Sequence, residues 1–243
     1  MVISPLKLEE GLSKRSVQHM HAVIRKTLNE ALKAGLIYRN PAALVSAPRP
    51  DKKPFSTLTK EQANLFLESI KDHRWYPIYV LAITTGMRQG EILGLHWESI
   101  DFKKGTLSIQ HTLQYSSGHM TISEPKTASS RRIVSLSPFA LNVLKKIKKD
   151  SGLVFTTSTG NYVSARNVIR HFHSALDKAG LPRMRFHDLR HTAATLLLKE
   201  NVHPKVVQEM LGHSSIMLTL DTYSHILPDI QQEAANKMEK MFG

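Results

Sequence analysis

HDLRHTAATLLLKENVHPKVVQEMLGHSSIMLTLDTY, residues 187–223, decides both the fold and the chemistry of this chain. The apolar spacing predicts one helix from about 187 to 200 and a second from Pro204 to Leu211, stopped by Gly212. A short helix from Ile216 to Tyr223 follows. In the first of these, His187, Arg190 and His191 stand at i, i+3 and i+4, on one helix face. A guanidinium there can grip two phosphate oxygens in a planar fork. Imidazoles beside it can donate hydrogen bonds or accept a proton near neutral pH. Because Gly212 ends a helix, His213 is placed by a backbone turn. Tyr223 sits in Leu220-Asp-Thr-Tyr-Ser-His225, half of it polar, and this setting predicts an exposed or mobile hydroxyl.

The pair His187 and His191 also fits the i, i+4 spacing of a zinc protease. Two features weigh against that alternative. The residue after the first histidine is Asp188 where that motif needs Glu, and the permanent cation Arg190 lies between the would-be ligands. No metal or other cofactor is expected.

Far upstream, Arg88 follows Gly86 at a predicted helix start, where amide donors and the helix dipole favour an anion. Glu91, one turn later, can hold its guanidinium. Lys126 lies in Glu124-Pro-Lys-Thr127, just past a strand, where a lysine dipping into a phosphate site could protonate a leaving alkoxide. Lys103, Lys104 and Arg131 flank the same hairpin and compete for that role.

The whole chain supports a polyanion partner. Its 33 basic and 20 acidic side chains give a net charge of +13, so nucleic acid or an anionic membrane surface is favoured. The apolar fraction of 41% suffices for a packed core. With no cysteine, disulfides, thiolate nucleophiles and cysteine-type zinc sites are excluded. The first residues lack a secretory apolar core and no 18-residue apolar span occurs, which predicts a cytoplasmic protein.

The expected class is mainly α with a small antiparallel β-sheet. Residues 1–46 hold one amphipathic helix over 13–36 and a short companion near 41–46, too little for a core of their own. They read as a partial helical DNA-binding segment. Residues 47–57 form a stiff, positively charged linker, and 58–243 the catalytic domain. That domain opens at Thr59 with a capping box to Gln62, and Ile78 to Ile83 reads as a fully buried helix. Alternation through Leu107, Ile109, His111 and Leu113, then Met120 and Ile122, predicts strands, with Arg132 to Leu136 as a third. Ser137-Pro138 and Ser164 start further helices. The second of these, 164–179, carries Arg166, Asn167, Arg170 and His173, polar groups able to enter a DNA groove.

Arg88, Lys126, His187-x-x-Arg190, His213 and Tyr223, in that order, resemble the catalytic set of the tyrosine recombinase (phage integrase) family. Thr84-Thr-Gly-Met-Arg88-x-x-Glu91, His187-Asp-Leu-Arg-His-Thr192 and Leu211-Gly-His-Ser-Ser215 are similar to its signatures, in the style of prophage and integrative-element integrases. The resemblance implies that family's catalytic-domain fold and site-specific cleavage and rejoining of DNA, for integration or excision of a mobile element. Tyr223 would form a 3′-phosphotyrosyl link, Arg88 and Arg190 would stabilise the phosphorane, and His187 would assist proton removal. Lys126 would protonate the leaving oxygen, His213 would donate to a non-bridging oxygen, and Glu91 and His191 would support them from behind. The implied partners are double-stranded DNA, a homotetramer on it and room for accessory DNA-bending factors, with no membrane. In that tetramer, the stripe Ile226, Ile230, Ala234, Met238 and Met241 or Phe242 on the last helix could dock on a neighbour or on its own domain. Only about 46 residues precede the linker, so the chain reads as N-terminally incomplete against the family, competent in cleavage but poor in independent recombination. A type IB topoisomerase-like activity and an inactive DNA-binding remnant are the alternatives.

Overall fold

The computed structural model describes residues 11–49, 55–116, 118–124, 131–223 and 227–242, with backbone alone at 221 and 227–234. It divides into two compact units, Met1–Pro54 and Phe55–Gly243.

The first unit is built on helix α1, Lys14–Lys33. Ser13 caps it by accepting from the Ser16 amide. Pro41–Leu44 forms a short 3-10 turn behind it. The Asn40 amide group donates to the Arg25 carbonyl and to Asn29, and its oxygen caps the turn. Among the described residues of this unit, only Val17 and Ala42 are buried hydrophobics. Side-chain hydrogen bonds therefore do much of the work that a core does elsewhere.

In the second unit, α2 (Lys60–Ser69) starts at Thr59 with the expected capping box to Gln62. Helix α3 (Tyr76–Thr85) is apolar on all sides, and nearly every residue in it is buried. This is the pattern of a helix at the centre of a core rather than on its surface. Gly86 ends it in the left-handed region at φ 63°. Helix α4 (Gln89–Leu93) follows at once.

The strands are β1 (Ile100–Asp101), β2 (Thr106–Ile109), β3 (Thr112–Ser116), β4 (His119–Ser123) and β5 (Arg132–Ser135). They make two antiparallel sheets rather than one: β1-β2-β5, and the hairpin β3-β4. The alternation through 107–113 is broken at Gln110 and His111. Beyond the break, β3 leaves β2 and lies against α4. A Cβ on Gly90 would sit 2.6 Å from the Leu113 carbonyl oxygen, and one on Gly94 would sit 2.7 Å from the Leu113 amide. Only bare backbone at both positions allows so close an approach.

Helix α5 (Pro138–Lys146), capped by Ser137, buries Ala140, Val143 and Leu144. Helix α6 (Ala165–Lys178) turns Val168, Phe172, Ala175 and Leu176 inward. Phe66, Tyr79, Phe172 and Phe186 meet edge-on or stacked in the core. Helices α7 (Asp188–Lys199), α8 (Pro204–Leu211) and α9 (Ile216–Tyr223) carry a smaller apolar cluster of Ala194, Leu198, Val207, Leu211 and Tyr223. Helix α10 (Leu227–Phe242) closes the described chain. On it Met238, Met241 and Phe242 are exposed, whereas Ile226 and the side chains of Ile230 and Ala234 lie outside the described residues. Among the described residues, no helix is long and apolar enough to cross a membrane.

Candidate active site

Two glycines in the left-handed conformation, Gly86 after α3 (φ 63°) and Gly212 after α8 (φ 67°), end helices two residues before Arg88 and one residue before His213. These are the local stops that aim Arg88 and His213. Arg190 comes from the first turn of α7 and its Nη1 donates to the Gly86 carbonyl oxygen at 2.8 Å. The arginines of two distant motifs are thereby joined through one backbone turn. A Cβ on Gly86 would lie 2.5 Å from Leu211 Cδ2, so the turn also packs on the end of α8.

Glu91 is buried in the middle. It accepts from the Arg88 amide at 2.9 Å and from Arg88 Nη1 at 2.7 Å, as its spacing predicted. It also accepts from both Nη atoms of Arg132, at 3.2 and 2.9 Å. Burial alone pushes its pKa up. The Arg132 bonds and charge outweigh that, and the carboxyl is held below its usual range.

Three guanidiniums therefore converge. Arg190 is only 3% exposed, and burial, then Arg88, then Arg132, pull its pKa down to about 9. It stays charged at neutral pH, but a crowded cation of this kind gains from an arriving anion. The imidazoles feel the same field. Burial and Arg190 bring His213 down to about 4, and burial and His187 bring His191 down to about 4. His187, at the start of α7, is lowered by burial and then by Arg190. All three are neutral at pH 7. His213 Nδ1 pairs with Thr219 Oγ1 at 2.8 Å, so Nε2 is the nitrogen left to meet a ligand oxygen.

The expectation of an exposed Tyr223 hydroxyl is overturned. Tyr223 is 1% exposed and its hydroxyl pairs with His191 Nδ1 at 2.9 Å. Phe55 stacks on His191 at 4.2 Å and 15°, and meets Tyr223 edge-on at 5.7 Å. Burial pushes the phenol up to about 12, against the pull of Arg190. The cause is an inverted helix. On α9 the inward positions are Thr219 and Tyr223, at i and i+4, while Met217 and Leu218 face solvent at 57% and 49% exposure. Polar sequence neighbours said nothing about which face the phenol takes.

His187, His191, Arg190, Arg88, Glu91, His213 and Tyr223 thus share one site. Arg166, Asn167 and Arg170 are exposed on α6 and His173 is half-buried, with Arg170 Nη2 donating to Asn167 Oδ1 at 2.6 Å. None of these four is hydrogen-bonded to the cluster in any described contact. Lys126 lies outside the described residues. Of its competitors, the Lys103 and Lys104 amides fold onto Asp101 at the β1–β2 turn, and Arg131 pairs with Glu124. Among the described residues, no three His, Asp or Glu side chains gather closely enough to hold a metal ion.

Two members of the site were not found from sequence. Arg132 did carry a signal: in β5 it shares the inward face with buried Val134, while Ile133 between them is 71% exposed. An arginine in and an isoleucine out reverses the usual strand pattern. Phe55 had no signal, sitting in a segment read as linker.

The chain belongs to the phage integrase family, whose pattern it matches over residues 56–229. It is a tyrosine recombinase of integrase type, with that family's catalytic-domain fold. Its relatives include a XerC-like tyrosine recombinase of Caldanaerobacter subterraneus subsp. tengcongensis, 31% identical over 96% of this chain and 68% of the relative. The ICEBs1 integrase of Bacillus subtilis is 27% identical, again over 96% of this chain and 68% of the relative. The chain therefore spans about two thirds of the length of these proteins. Among solved structures, the Tn1549 transposon integrase in complex with transposon right end DNA superposes with a TM-score of 0.82 and 25% identity, over 99% of this chain and 83% of that one.

Proposed function

We propose that this chain cleaves and rejoins double-stranded DNA at a specific site, through a covalent bond from Tyr223 to a 3′-phosphate, in the integration or excision of a mobile element. The observation that carries this is the convergence of Arg88, Arg190, His213 and Tyr223, drawn from four segments, on one cationic pocket. In the cleavage step the Tyr223 oxygen gives up its proton, with His187 as the neutral acceptor. It then bonds to phosphorus as the bond from phosphorus to the 5′ oxygen breaks. The 5′ oxygen takes a proton, for which Lys126 is the donor, and leaves as a hydroxyl. Arg88 and Arg190 hold the non-bridging oxygens as charge builds, and His213 Nε2 adds a third donor. Removing one preorganised donor of this type costs roughly 100- to 1000-fold in rate. The phosphodiester energy stays in the adduct, so rejoining is cleavage run in reverse and no nucleotide cofactor enters.

The net charge of +13 supplies the general attraction to DNA. Residues 1–46 add phosphate contacts, the linker expected over 47–57 gives way at Phe55 to the catalytic unit, and the α6 residues Arg166, Asn167, Arg170 and His173 face a groove. Recombination then needs a tetramer on two sites, with α10 as the element offered to a neighbour, and it takes place in the cytoplasm.

The test is a suicide DNA substrate whose nicked strand is lost after cleavage. Wild type should give a covalent adduct mapping to Tyr223, and Tyr223→Phe should give none. An adduct at another residue, or none from wild type, would overturn the assignment. Supercoil relaxation without any two-site recombination would leave the nucleophile standing but replace recombinase by topoisomerase.

A further inference from the structure

We infer that Arg132 is a positioning residue for DNA cleavage, a strut that fixes the Arg88 guanidinium and the His213 turn relative to one another; this rests on the recombinase reading above. Its side chain is 7% exposed and that of Glu91 4%, so neither meets the DNA directly. Arg132 holds both oxygens of Glu91, at 3.2 and 2.9 Å. Glu91 in turn holds Arg88 by main chain and side chain. Four donors on one carboxylate fill its accepting sites, which leaves Glu91 one orientation. The third corner of the Arg132 fork, Nε, donates to the Met210 carbonyl at 2.6 Å. Met210 is in the last turn of α8, two residues before the Gly212 turn that presents His213. One guanidinium therefore ties β5, the start of α4 and the end of α8.

A lysine cannot do this. It is a single ammonium point, whereas the planar fork bonds two carboxylate oxygens and a carbonyl at once. Nor is fold stability a sufficient account. A buried ion pair is commonly matched or exceeded in stability by packed apolar residues, so what this pair supplies is geometry. Arg88 shows what the geometry serves. Its side chain is 39% exposed, open to a ligand, and its Nη1 is held in place through Glu91.

The experiment measures single-turnover adduct formation on the suicide substrate, DNA affinity and melting temperature for wild type, Arg132→Lys and the double variant Glu91→Met with Arg132→Met. Misplacing a catalytic group by about 1 Å costs on the order of 100-fold. Arg132→Lys should slow cleavage by about 10- to 100-fold with Kd within about threefold of wild type. The double variant restores an apolar, packed pair, so it should melt near wild type yet stay at least as slow. In an Arg88→Lys background, Arg132→Lys should cost less than it does in wild type, because one of its two arms acts through the Arg88 guanidinium. A folded double variant cleaving within about threefold of wild type would overturn the inference, as would a fully additive loss in the Arg88→Lys background. If wild type itself forms no adduct, the recombinase reading falls and the strut falls with it. A wild-type adduct with unaffected variants removes the strut alone.

Discussion

Phe55→Ala should speed DNA cleavage, although it removes a packed aromatic ring. Tyr223 is 1% exposed, and a phosphate cannot reach an oxygen that water does not reach. The hydroxyl must therefore leave its place against His191 before attack. Phe55 makes two ring contacts that oppose this, a stack on His191 at 4.2 Å and an edge contact with Tyr223 at 5.7 Å. Each such contact is worth about 0.5–1.5 kcal/mol beyond area burial, or about 1–3 kcal/mol together. At tenfold per 1.4 kcal/mol, the open population should rise by roughly 5- to 150-fold. Opening also frees the phenol from the burial that raises its pKa to about 12. At pH 8 a phenol of that pKa is ionised in about one molecule in 10,000, against about one in 100 for an ordinary tyrosine.

The assay is single-turnover adduct formation at saturating protein and pH 8, with Phe55→Leu between the two extremes. The variant should also be less stable, by at least about 1–3 kcal/mol, because both ring interactions belong to the closed state and the apolar burial of the ring is lost with them. A cleavage rate that stays level or falls, with DNA affinity unchanged, would refute the reasoning. It would mean that the ring aims the nucleophile rather than restraining it.

Acid should destabilise the fold well above the carboxylate range. His171, His191 and His213 are each brought down to about 4, in every case chiefly by burial. The unfolded chain takes up these protons as pH falls below about 6.5, so the stability is full above that and is lost on the way down to about 4. Allowing for solvent screening of these half-buried rings, the loss from pH 7 to 5 is about 1 kcal/mol each. Calorimetry should show Tm falling by roughly 6–12 °C over that interval, and a Tm constant to within about 2 °C would contradict the burial argument. Gly86→Ala should cost about 2–5 kcal/mol, from the left-handed backbone and from a Cβ placed 2.5 Å from Leu211 Cδ2. Urea unfolding checks this, and a loss under about 1 kcal/mol would show that the turn gives way. Because the Gly86 carbonyl holds Arg190, adduct formation should fall as well.

What could be read from sequence was whatever is set within a turn of the chain. The Thr59 cap, the Ser137-Pro138 start, the helix stops at Gly86 and Gly212 and the Arg88–Glu91 pair depend on residues no more than four apart, and each stands where its spacing put it. What could not be read depends on partners far away in sequence. One alternating run over 107–113 gave no sign that β3 would leave β2 for α4, because the reason lies in two glycines some twenty residues earlier. The Tyr223 setting misled for the same cause. Its buried face meets Phe55 and His191, both far from it in sequence.

Arg132 differs from these, because its signal is local. An inward arginine beside an outward isoleucine in a four-residue strand breaks the period-2 rule. Such a break is costly unless the charge is paired, so it predicts a buried acid somewhere. The only acid of the Arg88 signature is Glu91, one turn beyond Arg88. Followed through, the reversed pattern in β5 leads from Arg132 to Glu91. It turns Glu91 from a companion of one arginine into the hinge between two. The residue types that sit on the wrong face of an otherwise regular element are therefore where a site's hidden supports should be sought.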